Sequence, residues 1–187
     1  RNPMNTAFAE KQPTSFPSIQ RPTIGAPIFA VTGASAIAIR AGTWLGDIHI
    51  GQDTPVALPD LVAGTDYAVH LVDGEPIAAA CTGIIPADAL GGFHFAPGGN
   101  AKARDGGDTV PAINPFSCWD TGFRPVCPDP RGMAFVDHDG MPFWADIYLL
   151  GVDHLTKGTS RYGETIADGR DRPVSPDGRG KVERCDF

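Results

Sequence analysis

Glycine and proline punctuate this chain so regularly that no stretch free of both exceeds nine residues; the longest are Met4 to Gln12 and Thr65 to Asp73. An average globular helix needs about 11 residues, and a proline inside one costs about 3 kcal/mol. Long helices are all but excluded, and the 23 glycines and 18 prolines point to a mainly β, loop-rich fold with few helices. The acidic residues agree. Of 22, only four are Glu, a helix former; the rest are Asp, which favours turns and caps. Hydrophobic residues make up 42% of the chain, enough for a core, so disorder throughout is excluded.

The segment Arg1 to Arg21 has prolines at 3, 13 and 17, few large apolar residues and no period. Alone it cannot offset its own ordering entropy. Residues 1–24 are therefore expected to form an extended arm that gains structure against a partner subunit or a neighbouring protein, with a disordered terminus of no role as the alternative. Residues 25–95 change to short strands, the pattern of a β domain. Pro27 to Val31 is closed by Thr32-Gly33, and Ala36 to Arg40 alternates with period two. Thr43-Trp44-Leu45 and Asp47 to Ile50 follow, separated by Gly46. The clearest hairpin joins Tyr67–Val72 to Glu75–Ala80 through Asp73-Gly74, which supplies the two positive-φ residues of a type I′ turn. Pro76 cannot donate to a ladder, so the return strand belongs on a sheet edge. Residues 96–115 read as a linking loop, with Pro97, Gly98-Gly99, Asp105 and Gly106-Gly107 and almost no apolar residues. Beyond it, Met133 to Val136 and Phe143 to Leu150 look like strands joined by Asp137-His138-Asp139-Gly140. Gly151 to Phe187 returns to turns and charges.

The function classes that need a chemical signature find none. A net charge of −7 leaves no excess of Lys and Arg to neutralise nucleic-acid phosphates. No 18-residue apolar run makes a membrane span, and no basic-then-apolar stretch opens the chain. Cys81, Cys118, Cys127 and Cys185 form no C-x-x-C pair and read as buried thiols of a protein assembled in a reducing cytoplasm, with a Cys118–Cys127 disulfide as the alternative. P-loop, G-x-G-x-x-G and H-E-x-x-H patterns are missing, and Gly33 to Ile37 lacks the second glycine of a nucleophile elbow. The five histidines stand singly, His49 and His70 on strands where a surface-facing imidazole suffices. Asp137 to Gly140 faintly resembles the start of a calcium loop, yet Met141 to Trp144 adds no side-chain oxygen, and a calcium ion takes six to eight. A hairpin turn is the better reading. No catalytic, cofactor-binding or metal-binding residue is expected, and no cofactor. Trp119 or Trp144 could stack on a sugar if exposed, which keeps a stand-alone carbohydrate-binding module as the alternative; Trp144 reads more naturally as core. An oxidoreductase or hydrolase would need convergent titratable groups in a pocket, which the sequence does not suggest.

Four ordered blocks carry a resemblance. They are Gly91 to Asn100 with Pro111 to Pro115, Phe123 to Met133, Phe143 to His154, and Gly158 to Tyr162 with Thr165 to Gly169. Together they resemble phage tail proteins related to the major tropism determinant, over roughly Asp66 to Phe187. The resemblance implies a trimeric adhesin without catalysis, a virion component of tail fibre, tail tip or baseplate. An N-terminal β region would attach it to other tail proteins through residues 1–24. Residues 116–187 would then begin a C-type-lectin-like domain, with Met133 to Tyr148 as its opening strands. Two departures stand out. Cys118 and Cys185 occupy positions where relatives tend to be apolar. The sequence also ends at Asp186-Phe187 where relatives continue into the variable part of the lectin-like domain, so contact with a host-surface receptor is expected beyond Phe187. An isolated hairpin cannot bury its own apolar face, so Trp144, Ile147 and Tyr148 need cover from elsewhere.

Overall fold

The computed structural model describes residues 18–98, 110–123, 127, 129–152 and 161–166, and short antiparallel strands dominate them. The one helical element among these residues is the 3-10 turn Pro115–Ser117. A first sheet joins β1 (Ile19–Gln20), β4 (Thr43–Leu45) and β5 (Ile48–Ile50) in that order. A second joins β2 (Phe29–Gly33), β3 (Ala36–Ile39) and β6 (Thr54–Pro55). The largest sheet has five strands: β7 (Thr65–Val72), β8 (Glu75–Ala80), β9 (Gly91–Ala96), β10 (Ala112–Ile113) and β11 (Trp119–Asp120). Its order is β10–β9–β7–β8, with β11 also paired to β9. A separate hairpin consists of β12 (Met133–His138) and β13 (Met141–Asp146).

Turn chemistry sets the hairpins. Asp73 and Gly74 both take positive φ, 51° and 88°, and the register pairs Val72 with Glu75 through to Tyr67 with Ala80. As expected of Pro76, β8 is an edge strand. Its outer side is nonetheless engaged: Ala57 N–H donates to the Pro76 carbonyl at 2.9 Å, and Ala78 N–H to the Ala57 carbonyl at 2.8 Å. That short parallel bridge blunts an edge that would otherwise invite another strand.

The strand expected over Pro27 to Val31 begins later, at Phe29, because the Ile28 N–H is taken by the Asp120 carboxylate at 2.9 Å. In β3 the alternation in the sequence does not become alternating exposure. Ile37, Ala38 and Ile39 are all buried, so both faces of β3 are covered, while β2 and β6 flank its edges. The strand expected over Phe143 to Leu150 stops at Asp146, where its partner turns away at Gly132 with φ of 67°.

Segment 96–115 differs most from its expected role as a linking loop. Residues 99–109 lie outside the described residues, but Ala112–Ile113 forms β10, paired with Phe95 and Ala96. The sheet that starts at Thr65 thus runs on to Asp120, past the expected domain end at residue 95. Ile113 and Cys118 share one buried core with Phe29, Ile37, Val69 and Phe93. Burying those side chains is what draws the chain back onto the sheet, at roughly 25 cal/mol per Å² of apolar surface removed from water.

The close packing of this core explains Gly91 and Gly92 in the middle of β9. A Cβ on Gly91 would sit 2.2 Å from the Trp119 carbonyl oxygen and 2.6 Å from the Phe29 ring. One on Gly92 would sit 2.3 Å from the Tyr67 carbonyl oxygen. Glycine weakens a strand, and here it is the only residue that lets Trp119, Phe29 and β7 approach.

Candidate functional site

The hairpin β12–β13 combines an exposed tip with a base bonded to the five-stranded sheet, and this makes it the candidate functional element. Every residue from Asp137 to Phe143 is exposed. Asp139 and Gly140 take φ of 51° and 77°, and the Asp137 carboxylate accepts the Gly140 N–H at 3.1 Å. Asp137 therefore serves the turn, as the hairpin reading expects.

Three anchors hold the base. Arg131 grips Asp129 with both arms of its guanidinium, Nε to Oδ1 at 2.8 Å and Nη2 to Oδ2 at 2.6 Å. Its Nη1 donates to the carbonyls of Cys81, at 3.3 Å, and of Gly83, in the loop that follows β8. The Asp129 carboxylate raises the Arg131 pKa, so the anchor keeps its charge at any ordinary pH. The second anchor is the Gly132 N–H, which donates to Asp66 Oδ1 on β7 at 3.0 Å. The third is the Tyr148 hydroxyl, 2.6 Å from His94 Nε2 on β9. Phe135 of β12 packs on Phe123 at 5.0 Å between ring centroids, and Trp144 meets Phe135 edge-on at 5.4 Å. The cover that this hairpin needs comes in part from the sheet below it.

His94 is the hub of this junction. Only 1% of it is exposed, and both ring nitrogens are engaged. Its Nδ1 lies 3.1 Å from Asp66 Oδ1. A carboxylate only accepts, so Nδ1 is the donor to Asp66; in the tautomer with its one proton there, Nε2 accepts from the Tyr148 hydroxyl. Burial, with help from Asp66 and Tyr162, pushes the Tyr148 pKa up to about 12. A carboxylate, an imidazole and a hydroxyl in a row have the outline of a hydrolase triad. Here the imidazole is sealed from solvent, the phenol keeps its proton at neutral pH, and the row bonds the hairpin to the sheet.

A second buried polar centre fixes the other end of the sheet. Asp120 has no exposed surface and accepts the N–H groups of Ile28, Gly122 and Phe123, each at 2.9 Å. Arg21 completes the set, with Nε 3.2 Å from Oδ2 and Nη2 on Oδ1. The last residues of the expected arm are thereby tied to β11. Sequence reasoning singled out none of Arg21, Asp66, Asp120 or Arg131. Arg21 and Asp120 are 99 positions apart and His94 and Tyr148 are 54, and no local spacing announces either pair.

The tryptophans correct one expectation. Trp119 is 2% exposed and packs over Gly92, so it cannot be a sugar platform. Trp144 is half-buried, and its indole N–H finds no acceptor among the described residues. The exposed indole is instead Trp44, which is 40% exposed and faces the ring of His49. His70 pairs with Asp88 at 3.3 Å. Cys81 and Cys118 carry free, buried thiols, so the Cys118–Cys127 disulfide is not formed; Cys185 lies outside the described residues. Among the described residues no group of three His, Cys, Asp or Glu could hold a metal ion. No helix there is long and apolar enough to cross a membrane.

No family model matches the chain. Over 156 residues it is 47% identical to the tail fiber receptor-binding protein of Bordetella phage BPP-1, covering 78% of this chain and 40% of that protein. Its fold superimposes on the Major Tropism Determinant M1 variant with a TM-score of 0.70 at 43% identity, over 90% of this chain and 48% of that one. The U1 variant gives 0.72 at 43% identity, over 89% and 46%. The chain is related to the phage major tropism determinants. It spans less than half the length of the determinants and of the tail fiber protein it matches. The determinants have a C-type-lectin-like fold, and the mainly β class expected from the sequence holds.

Proposed function

We propose that this chain is the mounting portion of a phage tail adhesin, a non-enzymatic part of the virion that carries a receptor-binding, lectin-like head. The observation that carries this reading is the long, high-identity match to a tail fiber receptor-binding protein, in a chain whose fold is that of the tropism determinants. Geometry supplies the mechanical sense. A head must be held at a fixed angle, and Arg131, Gly132 and Tyr148 bond the hairpin to the sheet at three separate points. Toward the N-terminus, Arg21 on Asp120 ties the chain to β11, and the part of residues 1–24 that precedes β1 meets other tail proteins. The receptor itself is met outside these 187 residues, in keeping with relatives of which this chain covers 40% and 48%.

In this reading residues 25 to about 120 form the β domain, and the lectin-like head begins with β12–β13. The adhesin is a homotrimer, as the resemblance to the tropism determinants implies, and association would add burial that short strands lack alone. Sedimentation equilibrium should give three times the mass of the native chain; a monomer that melts cooperatively overturns the trimer. The intact native mass should lie well above the 19.7 kDa of this chain. Immunogold labelling of phage particles, with antibody raised against the β domain, should place gold on the tail. Virions without label would sink the adhesin reading.

A further inference from the structure

The first sheet, which the chain enters at β1 beyond the docking part of the arm, has an outward face that neither the core nor the hairpin covers. Its register aligns Gln20 of β1, Trp44 of β4 and His49 of β5 in one cross-strand row. On the opposite face of the same strands, Ile19 packs on the core and Thr43 and Leu45 are buried. Gln20, Trp44 and His49 therefore all point outward, and Gln20 and His49 are exposed as well. The His49 ring lies 4.5 Å from the Trp44 ring between centroids, tilted by 31°, and packs against the indole. The strand on the other side of β4 brings the short, uncharged amide of Gln20.

We infer that Trp44, with Gln20 and His49, is a stacking platform for a neutral sugar ring, a glycan contact of the tail adhesin separate from its head. A pyranose presents an apolar C–H face that suits an exposed indole, and hydroxyls around its rim that suit an amide and an imidazole. The row holds no Lys or Arg, so nothing in it selects a phosphate or a carboxylate. It is also too small for a protein partner. A stable interface buries about 800 Å² on each side around an apolar centre, and this row offers one aromatic between two polar side chains. The contact works independently of the receptor-binding head and would add a second, weaker hold on a glycan-covered cell.

The test uses the intact protein on an array of neutral and acidic bacterial-surface oligosaccharides. Binding of at least one neutral oligosaccharide is expected, and Trp44→Ala should weaken it about tenfold or more, the loss usual for a central aromatic anchor. Trp44→Phe should keep part of the affinity, while Trp144→Phe should leave it unchanged. The exposed position of Trp44 predicts an unaltered melting temperature for both Trp44 variants. Acrylamide should quench a component of the fluorescence that vanishes in Trp44→Phe. No neutral glycan bound, equal binding by Trp44→Ala, or a Trp44 shielded from acrylamide because copies of the chain cover it would each overturn the platform. None of these outcomes bears on the gold labelling of the tail, so the two readings fail separately.

Discussion

Asp120 shows what one buried carboxylate can do when every lone pair is used. Three backbone N–H groups and the Arg21 guanidinium converge on it, and it has no exposed surface. Removing one partner of a buried charged pair typically costs about 3–5 kcal/mol, because the groups left behind stay desolvated. Asp120→Ala is expected to fall in that range by chemical denaturation, with Asp120→Asn milder because its amide oxygen can still accept. A loss below about 1 kcal/mol would place the centre in the class of ordinary hydrogen bonds. Cys118 makes a different prediction. Burial pushes its thiol from the ordinary 9.0 up to about 12, so the folded state holds the proton more tightly than the unfolded chain does. Its contribution is complete below the ordinary thiol value and is lost as pH rises from 9 through about 12, and Tyr148 acts in the same sense above 10. Stability should therefore decline across that alkaline window, and Cys118→Ala should move the unfolding midpoint, followed by circular dichroism, to higher pH. Coincident midpoints would remove the thiol from the account.

Strands and hairpins were legible in the sequence wherever a turn announced them. Asp73-Gly74 placed one hairpin to the residue, and Asp137 to Gly140 placed another, because positive φ is a local demand that few residues meet. Pairings between distant segments were not legible. Nothing near Ala112 or Trp119 says that each adds to β9, since a two-residue strand has too few side chains to show a period. The Gly91-Gly92 pair reads locally as a weak strand, and only the packed Trp119 and Phe29 give it a reason. The moorings of the hairpin were hidden for the same cause, as they join residues far apart in the chain. They can be tested as an element. Tyr148→Phe leaves His94 Nε2 buried without a donor, a loss of about 1–3 kcal/mol. Hydrogen exchange should quicken through β12–β13 while β7 and β9 keep their protection. Equal loss of protection in both would show the hairpin and the sheet to be one cooperative unit, not a mount and its load.

At the scale of the molecule, three sheets share one core, with Leu45, Ile37, Val69 and Phe93 meeting in it. Composition foretold the class of this fold, and the four blocks foretold its relatives; the meeting of the sheets required coordinates. One consequence concerns what the fold can tolerate. Ala96 and Ala112 face each other across β9 and β10, so the chain leaves the sheet and returns to it at neighbouring points. Whatever length of chain joins two such points, closing it costs only about 0.6 kcal/mol for each doubling. A peptide of some ten residues spliced in near Gly106 should lower stability by no more than roughly that amount. A melting curve would check it. The connection between β9 and β10 is then a port where an epitope or a fluorophore could ride at little cost to the sheet that flanks it.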